Sequence, residues 1–339
     1  MAHAYVQEQA DVQAREFTPH GIYVPLVTPF GIDGRPDLDA LEALAHSVLD
    51  AGAAGLVALG TTGEVGALDP EERTAVIDTC ARVCRRRGVP LIVGAGGGAT
   101  ETAARELAEL GGRPEISAAL VIVPAFVRPS PEGVLAHFRR LAAASAVPLI
   151  VYHIPYRTGR PLDAATLRAL GTLPGVVGIK HAVGGVDQDT VSLLGDLPDG
   201  FAVLAGDDTF LSPLLALGAA GGILASAHLA TARFTALAEA WHDGDVARAR
   251  PLGHRLARLS TLLFAEPNPS VVKAVLHAQG RIPTPDVRLP LLPASEASVA
   301  AALKALAELE ESAEPEEPAG LEEPAEPEES AEAVATAAV

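Results

Sequence analysis

Eight short apolar runs recur along this chain, each separated from the next by enough residues for one helix, and that rhythm admits few folds. The runs are Gly21 to Val27, Gly55 to Leu59, Leu91 to Gly94, Ala118 to Val123, Pro148 to Tyr152, Val176 to Lys180, Phe201 to Ala205 and Gly221 to Ala225. Strand-length segments this apolar expect burial on both faces, as in a parallel sheet; a sheet with one wet face would alternate. A helix-period pattern follows each run: Asp37 to Ala51, Asp69 to Arg87, Thr100 to Leu110, Ser130 to Ala144, Asp163 to Leu170, Val186 to Leu194, Thr209 to Leu217 and Leu229 to His242. Several open with Asp, Ser or Thr where an N-cap is wanted, and Pro70 and Pro131 suit a first helical turn. Eight such units read as an α/β fold, a (β/α)8 TIM barrel, better than as a doubly wound sheet. Three further helical stretches, Asp245 to Phe264, Pro269 to Gln279 and Ser295 to Leu309, would form a C-terminal helical appendage.

The expected organisation is an N-terminal extension over residues 1–20, the barrel over 21–243, the appended helices over 244–309 and a tail over 310–339. A short helix over Ala4 to Arg15 is compatible with the extension. The tail repeats Glu, Pro and Ala without periodic apolar residues, so it buries too little surface to offset its ordering entropy and is expected to be disordered. Its eleven glutamates meet no Lys or Arg, and setting them aside reduces the formal net charge from −18 to −7. A moderately acidic body offers no electrostatic footprint for nucleic acid. No apolar run approaches the roughly 20 residues that span a bilayer, and the first residues lack a basic start followed by an apolar stretch. The chain therefore reads as a cytoplasmic protein with no nucleic-acid or membrane partner. Cys80 and Cys84 are the two cysteines, four apart in a helical pattern, and read as packing residues.

In a barrel of this kind the reacting groups stand at the C-terminal ends of the strands. Lys180 ends the sixth run, in a chain with two other lysines, Lys273 and Lys304, against 22 arginines. An ammonium withdrawn from water tends to lose its proton and become a nucleophilic amine, able to form a Schiff base with a carbonyl. Pairing with a carboxylate, or reaching out to solvent, is the plainer alternative. Thr61 and Thr62 lie between Gly60 and Gly63, where hydroxyls and free N–H groups can hold a carboxylate or simply make a tight turn. Tyr152 ends the fifth run with a hydroxyl that can pass protons, or packs in the core. Arg157 could grip a substrate carboxylate or form a surface ion pair. Gly94 to Gly98 lacks the Gly-Lys-Ser/Thr ending of a phosphate loop and reads as a flexible turn. Asp207 and Asp208 have no His or Glu partners nearby in sequence, so neither a metal nor a cofactor is expected. His153 and His181 adjoin Tyr152 and Lys180, and alternation along a strand turns them outward, against the helices.

Taken together, Gly60-Thr61-Thr62-Gly63-Glu64, Tyr152 through Gly159, Gly178-Ile179-Lys180, Gly206-Asp207-Asp208 and Glu266-Pro267-Asn268-Pro269 resemble the dihydrodipicolinate synthase and N-acetylneuraminate lyase family. The resemblance runs in order from about Gly21 to Leu309. It implies class I aldolase chemistry in a (β/α)8 barrel, assembled as a homo-oligomer, a tetramer or a dimer. Carried over, it makes Lys180 the Schiff-base lysine for pyruvate or another 2-oxo acid, and Tyr152 the proton relay with Thr61 bonded to it. Thr62 would hold the carboxylate, Gly206 and Ile223 would line the pocket, and Arg157 would meet the carboxylate of an aldehyde partner. Arg157 favours the synthase branch. Phe126 stands where the synthases carry a second relay tyrosine, His181 replaces a glutamate and His153 an asparagine, which leaves open a sibling aldolase or dehydratase acting on a sugar acid or hydroxy-oxo acid. A non-catalytic 2-oxo acid binding protein is the remaining alternative.

Overall fold

The computed structural model describes residues 17–311. The expected Ala4 to Arg15 helix and all but the first two residues of the expected tail lie outside them. Eight parallel strands, β1 (Gly21–Pro25), β2 (Gly55–Ala58), β3 (Leu91–Ala95), β4 (Ile116–Ile122), β5 (Leu149–His153), β6 (Val176–His181), β7 (Ala202–Ala205) and β8 (Gly221–Ile223), form a closed barrel in sequence order. The ring closes where Gly21 of β1 registers with Gly221 of β8. A Cβ on Gly221 would stand 1.9 Å from the carbonyl oxygen of Gly21, so only glycine lets the first and last strands meet.

Inward residues of the strands, among them Tyr23, Val57, Ile92, Leu120, Ile150, Tyr152, Leu204 and Ile223, fill the barrel as its inner core. The larger outer core lies between the strands and the surrounding helices. Helix starts follow the sequence: Asp37, Asp163, Asp187 and Asp245 accept from the backbone three residues on, and Asp69 with Glu72 makes a reciprocal capping box ahead of Pro70. The helix after β6 opens at Gln188 rather than Val186, because Asp187 takes the cap. The one after β7 starts as a 3₁₀ turn, Asp208–Phe210, before Leu211–Ala216. A four-residue helix, Pro155–Thr158, was not expected; Gly159, at φ 68°, closes it.

Gly94 is less a flexible turn than a close approach, for a Cβ there would lie 2.1 Å from the Leu59 carbonyl oxygen. Three C-terminal helices, Val246–Leu263, Ser270–Ala278 and Glu296–Glu311, pack together and against the helix Ala227–His242. The segment Val271 to Leu276 is buried apart from slight exposure of Ala274, which brings the appendage against the barrel mouth.

Candidate active site

Strand β6 runs Val-Val-Gly-Ile-Lys-His, and its parity sends Lys180 into the barrel and His181 out. Lys180 registers beside Tyr152 of β5 and Leu204 of β7. It is 7% exposed, with Nζ 4.5 Å from the centre of the Tyr152 ring. Burial lowers its pKa to about 8, helped by the Arg157 charge and opposed by Asp208 and Asp207. About one amine in ten is then neutral at pH 7, against far fewer than one in a thousand for a free lysine.

Tyr152 is itself buried, and loss of solvent pushes its hydroxyl up to about 12, opposed by the Arg157 charge and by a hydrogen bond with the Thr61 side chain. It therefore stays protonated and able to donate at neutral pH. Thr61 and Thr62 lie in a 3₁₀ turn, Thr61–Gly63, directly after β2. The turn packs closely at Gly63, where a Cβ would sit 3.0 Å from the Leu26 carbonyl oxygen, and Thr28 Oγ1 donates to the Gly63 carbonyl at 2.8 Å. Thr62 is 4% exposed, and its Oγ1 accepts from Asn268 Nδ2 at 2.9 Å.

Gly206 follows β7, and a Cβ on it would meet Lys180 Cγ at 2.9 Å and Cε at 3.1 Å, so the missing side chain is the room the lysine occupies. Ile223, the last residue of β8, is fully buried in the inner core. Arg157 is exposed on the short helix Pro155–Thr158, its guanidinium 5.9 Å from the Tyr156 ring centre. Its charge is felt at Tyr152, Lys180 and Asp207, which places it at the mouth beside the amine. A cavity of about 520 Å³ touches Thr61 and Tyr152 at one end but extends outward past Arg73 and Glu106 of the helices after β2 and β3 and past Arg113, and Lys180 does not line it.

The acids after β7 are engaged rather than free. Asp207 accepts from the Gly184 N–H at 2.6 Å and the Tyr156 hydroxyl at 3.4 Å. Asp208 accepts from the Ser226 N–H at 2.6 Å, and burial raises its carboxyl to about 6. His153 and His181 stand behind the strands: His153 Nε2 accepts from the Leu162 N–H, and His181 Nε2 shares a hydrogen bond with Thr190 Oγ1. Burial lowers them to about 3 and about 4, so both are neutral. Phe126 points away from its own barrel, 96% exposed at a left-handed φ of 72°.

Sequence reasoning gave no role to Lys273, Glu64 or Arg288, which surround the Thr61–Gly63 turn. Lys273 carried the same signal as Lys180, a lone lysine inside Val271-Val272-Lys273-Ala274-Val275. Its partner Glu64 lies 209 residues away, a distance no local pattern spans.

A closed parallel barrel with a buried, partly neutral lysine set against a protonated tyrosine at its C-terminal mouth is the arrangement of an aldolase-type lyase. Residues 18–309 match the dihydrodipicolinate synthetase family, and the chain belongs to that family. It is 39% identical over 291 residues to the 4-hydroxy-tetrahydrodipicolinate synthase of Moorella thermoacetica, covering 84% of this chain and 97% of that protein. Against 4-hydroxy-tetrahydrodipicolinate synthase 2 of Clostridium acetobutylicum it is 37% identical over 276 residues, covering 81% and 95%. Among solved structures, the dihydrodipicolinate synthase of Acinetobacter baumannii complexed with pyruvate superposes with a TM-score of 0.81 at 35% identity, over 86% of this chain and 99% of that one. The Thermotoga maritima enzyme gives 0.82 at 30% identity, over 87% and 99%. No helix among the described residues is long and apolar enough to cross a membrane.

Proposed function

We propose that Lys180 condenses with pyruvate, or a closely related 2-oxo acid, and that the resulting enamine adds to an aldehyde, the chemistry of a 4-hydroxy-tetrahydrodipicolinate synthase. The observation that carries this is the Lys180 amine itself: buried, lowered to about 8 and set 4.5 Å from the Tyr152 ring. The neutral amine attacks C2 of the acid, and the carbinolamine loses one water to leave the protonated imine. Tyr152, linked to Thr61, returns the proton that the departing hydroxyl needs. Tyr152, left as the phenolate by that transfer, takes a C3 proton from the imine, which gives the enamine that attacks the aldehyde. Thr62 and the N–H groups of its turn receive the acid's carboxylate, while Gly206 and Ile223 bound the pocket. Arg157, exposed at the rim, meets an acidic group on the aldehyde, as aspartate semialdehyde would supply.

A second reading has one specific observation behind it. Phe126 offers a ring without a hydroxyl, so a relay that needs a second tyrosine is short of one group, and a positioned acid–base group contributes about 10²- to 10⁴-fold. A sibling aldolase or dehydratase with another partner substrate would tolerate that loss. The extended loop suits a homo-oligomer in which Phe126 and Val127, 96% and 68% exposed, meet a second copy. A cytoplasmic setting, reducing and supplied with 2-oxo acids, fits the two free cysteines.

The test is a panel of aldehydes offered with pyruvate, with Lys180→Ala as the blank, beside borohydride trapping read by mass spectrometry. The expected result is a pyruvyl adduct on wild type alone and turnover highest with aspartate semialdehyde. An unmodified wild-type lysine would refute the Schiff-base reading. Turnover with other aldehydes only, raised for aspartate semialdehyde by Phe126→Tyr from an undetectable level, would establish the second reading.

A further inference from the structure

Lys273 is more deeply buried than Lys180 and takes no part in the chemistry above. Its side chain is 0% exposed and that of its partner Glu64 1%, with Nζ and Oε1 2.8 Å apart. The ammonium lies 4.0 Å from the centre of the Phe30 ring, and the Arg288 guanidinium lies 4.5 Å from the same ring. Glu64 Oε2 accepts from the backbone N–H of Arg288 at 2.8 Å, and the Arg288 guanidinium is itself clamped by both oxygens of Glu72 at 2.6 Å.

Buried ion pairs seldom stabilise a fold more than apolar residues of the same volume would, so stability alone gives little reason for this one. Geometry gives a better reason. Glu64 sits at φ 54°, a left-handed conformation that glutamate does not favour, between the 3₁₀ turns Thr61–Gly63 and Val65–Ala67. Anchoring its carboxylate from Lys273 and Arg288 holds that conformation, and with it the direction in which Thr61 and Thr62 face.

Asn268, from the same C-terminal segment, acts on the turn directly. Its Nδ2 donates to Thr62 Oγ1, which fills a lone pair of that hydroxyl and leaves its proton to donate elsewhere. A carboxylate seated in the turn is a matching acceptor.

We propose that Lys273 and Asn268 are positioning residues for the 2-oxo acid: Lys273 fixes the Thr61–Gly63 turn through Glu64, and Asn268 presents the Thr62 hydroxyl to the carboxylate as a donor. The inference rests on the reading above that this turn receives the carboxylate. It makes the C-terminal helices part of the substrate site rather than a cover for the barrel.

The experiment measures pyruvate dependence of borohydride trapping on Lys180, together with KM and kcat, in the full chain. The variants are the paired substitution Lys273→Met/Glu64→Gln, which removes both charges at once, Asn268→Ala and Asn268→Asp. Arg258→Ala, which breaks a surface pair with Glu308 on the same appendage, is the control. Half-saturating pyruvate rises about tenfold or more in all three site variants, because a misplacement of the order of 1 Å is felt at that scale. Trapping at saturating pyruvate is expected to change less than about threefold, and the control to match wild type. Asn268→Asp behaves like Asn268→Ala, since a carboxylate there accepts the Thr62 proton instead of donating to it.

Folded site variants with wild-type half-saturation would overturn the inference while leaving the Schiff base intact. Absence of trapping in wild type would take down both. Should the paired variant not fold, Asn268→Ala, at a partly exposed position, decides alone: an unchanged pyruvate KM refutes the proposal.

Discussion

Two lysines of this chain are buried, and burial lowers the pKa of both, but their surroundings differ. Lys273 has a carboxylate at 2.8 Å, whereas Lys180 lies against an aromatic ring and its pKa falls to about 8. Both stand in an apolar run, but the sequence reading singled out Lys180 alone, and it left open whether that amine had a carboxylate partner. A consequence of the lowered value is that imine formation, followed as kcat/KM for pyruvate against pH, should rise with pH and level off above about 8. A limb centred near 10 would contradict it. The same shift acts on stability. Because the folded state holds this proton less tightly than the unfolded chain does, stability rises with pH between about 8 and about 10.5, and the burial penalty is present in full below that window. Lys180→Met is therefore expected to abolish trapping yet stabilise the fold by roughly 2–4 kcal/mol at pH 7, with the gain vanishing by pH 11, as read by denaturant titration at both pH values.

At the scale of elements, the strand runs and helix caps were legible because they depend on residues close in sequence: burial on both faces makes a run apolar, and an N-cap acts three residues away. The helix Pro155–Thr158 was not legible, because four residues complete barely one turn and show no periodicity. Two predictions belong here. Gly221→Ala would set a Cβ 1.9 Å from the Gly21 carbonyl oxygen and part β8 from β1, costing about 3 kcal/mol or more; a variant with wild-type thermal stability would refute the close approach. The outward histidines of β5 and β6 give the second. His153 and His181 stand 5.6 Å apart between ring centres and are lowered to about 3 and about 4. The unfolded chain takes up their protons first, so they withdraw stability as pH falls from about 6.5 towards 4. His181→Gln should make the acid limb of an unfolding curve shallower, and an unaltered limb would show that the pair plays no part in it.

For the whole molecule, the exposed apolar surface is concentrated in part beside the site. Phe126, Val127 and Tyr156 are 96%, 68% and 60% exposed, and Phe126 is held in a backbone conformation that its side chain does not reward in an isolated chain. Sedimentation is expected to give an integral multiple of the chain mass for wild type and a smaller particle for Phe126→Asp; a monomeric wild type at micromolar concentration would remove the case for a second copy. What the sequence determined by itself was the alternation of eight strands and helices, and the presence of a displaced amine at the end of the sixth, since both are consequences of local period and local polarity. Only the tertiary structure decided what that amine and its neighbours would face. Asn268 reaches Thr62 across 206 residues and Lys273 reaches Glu64 across 209, pairings set by how the barrel closes and where the last helices dock. A residue's type announces that it needs a partner, but the partner is chosen by the path of the whole chain.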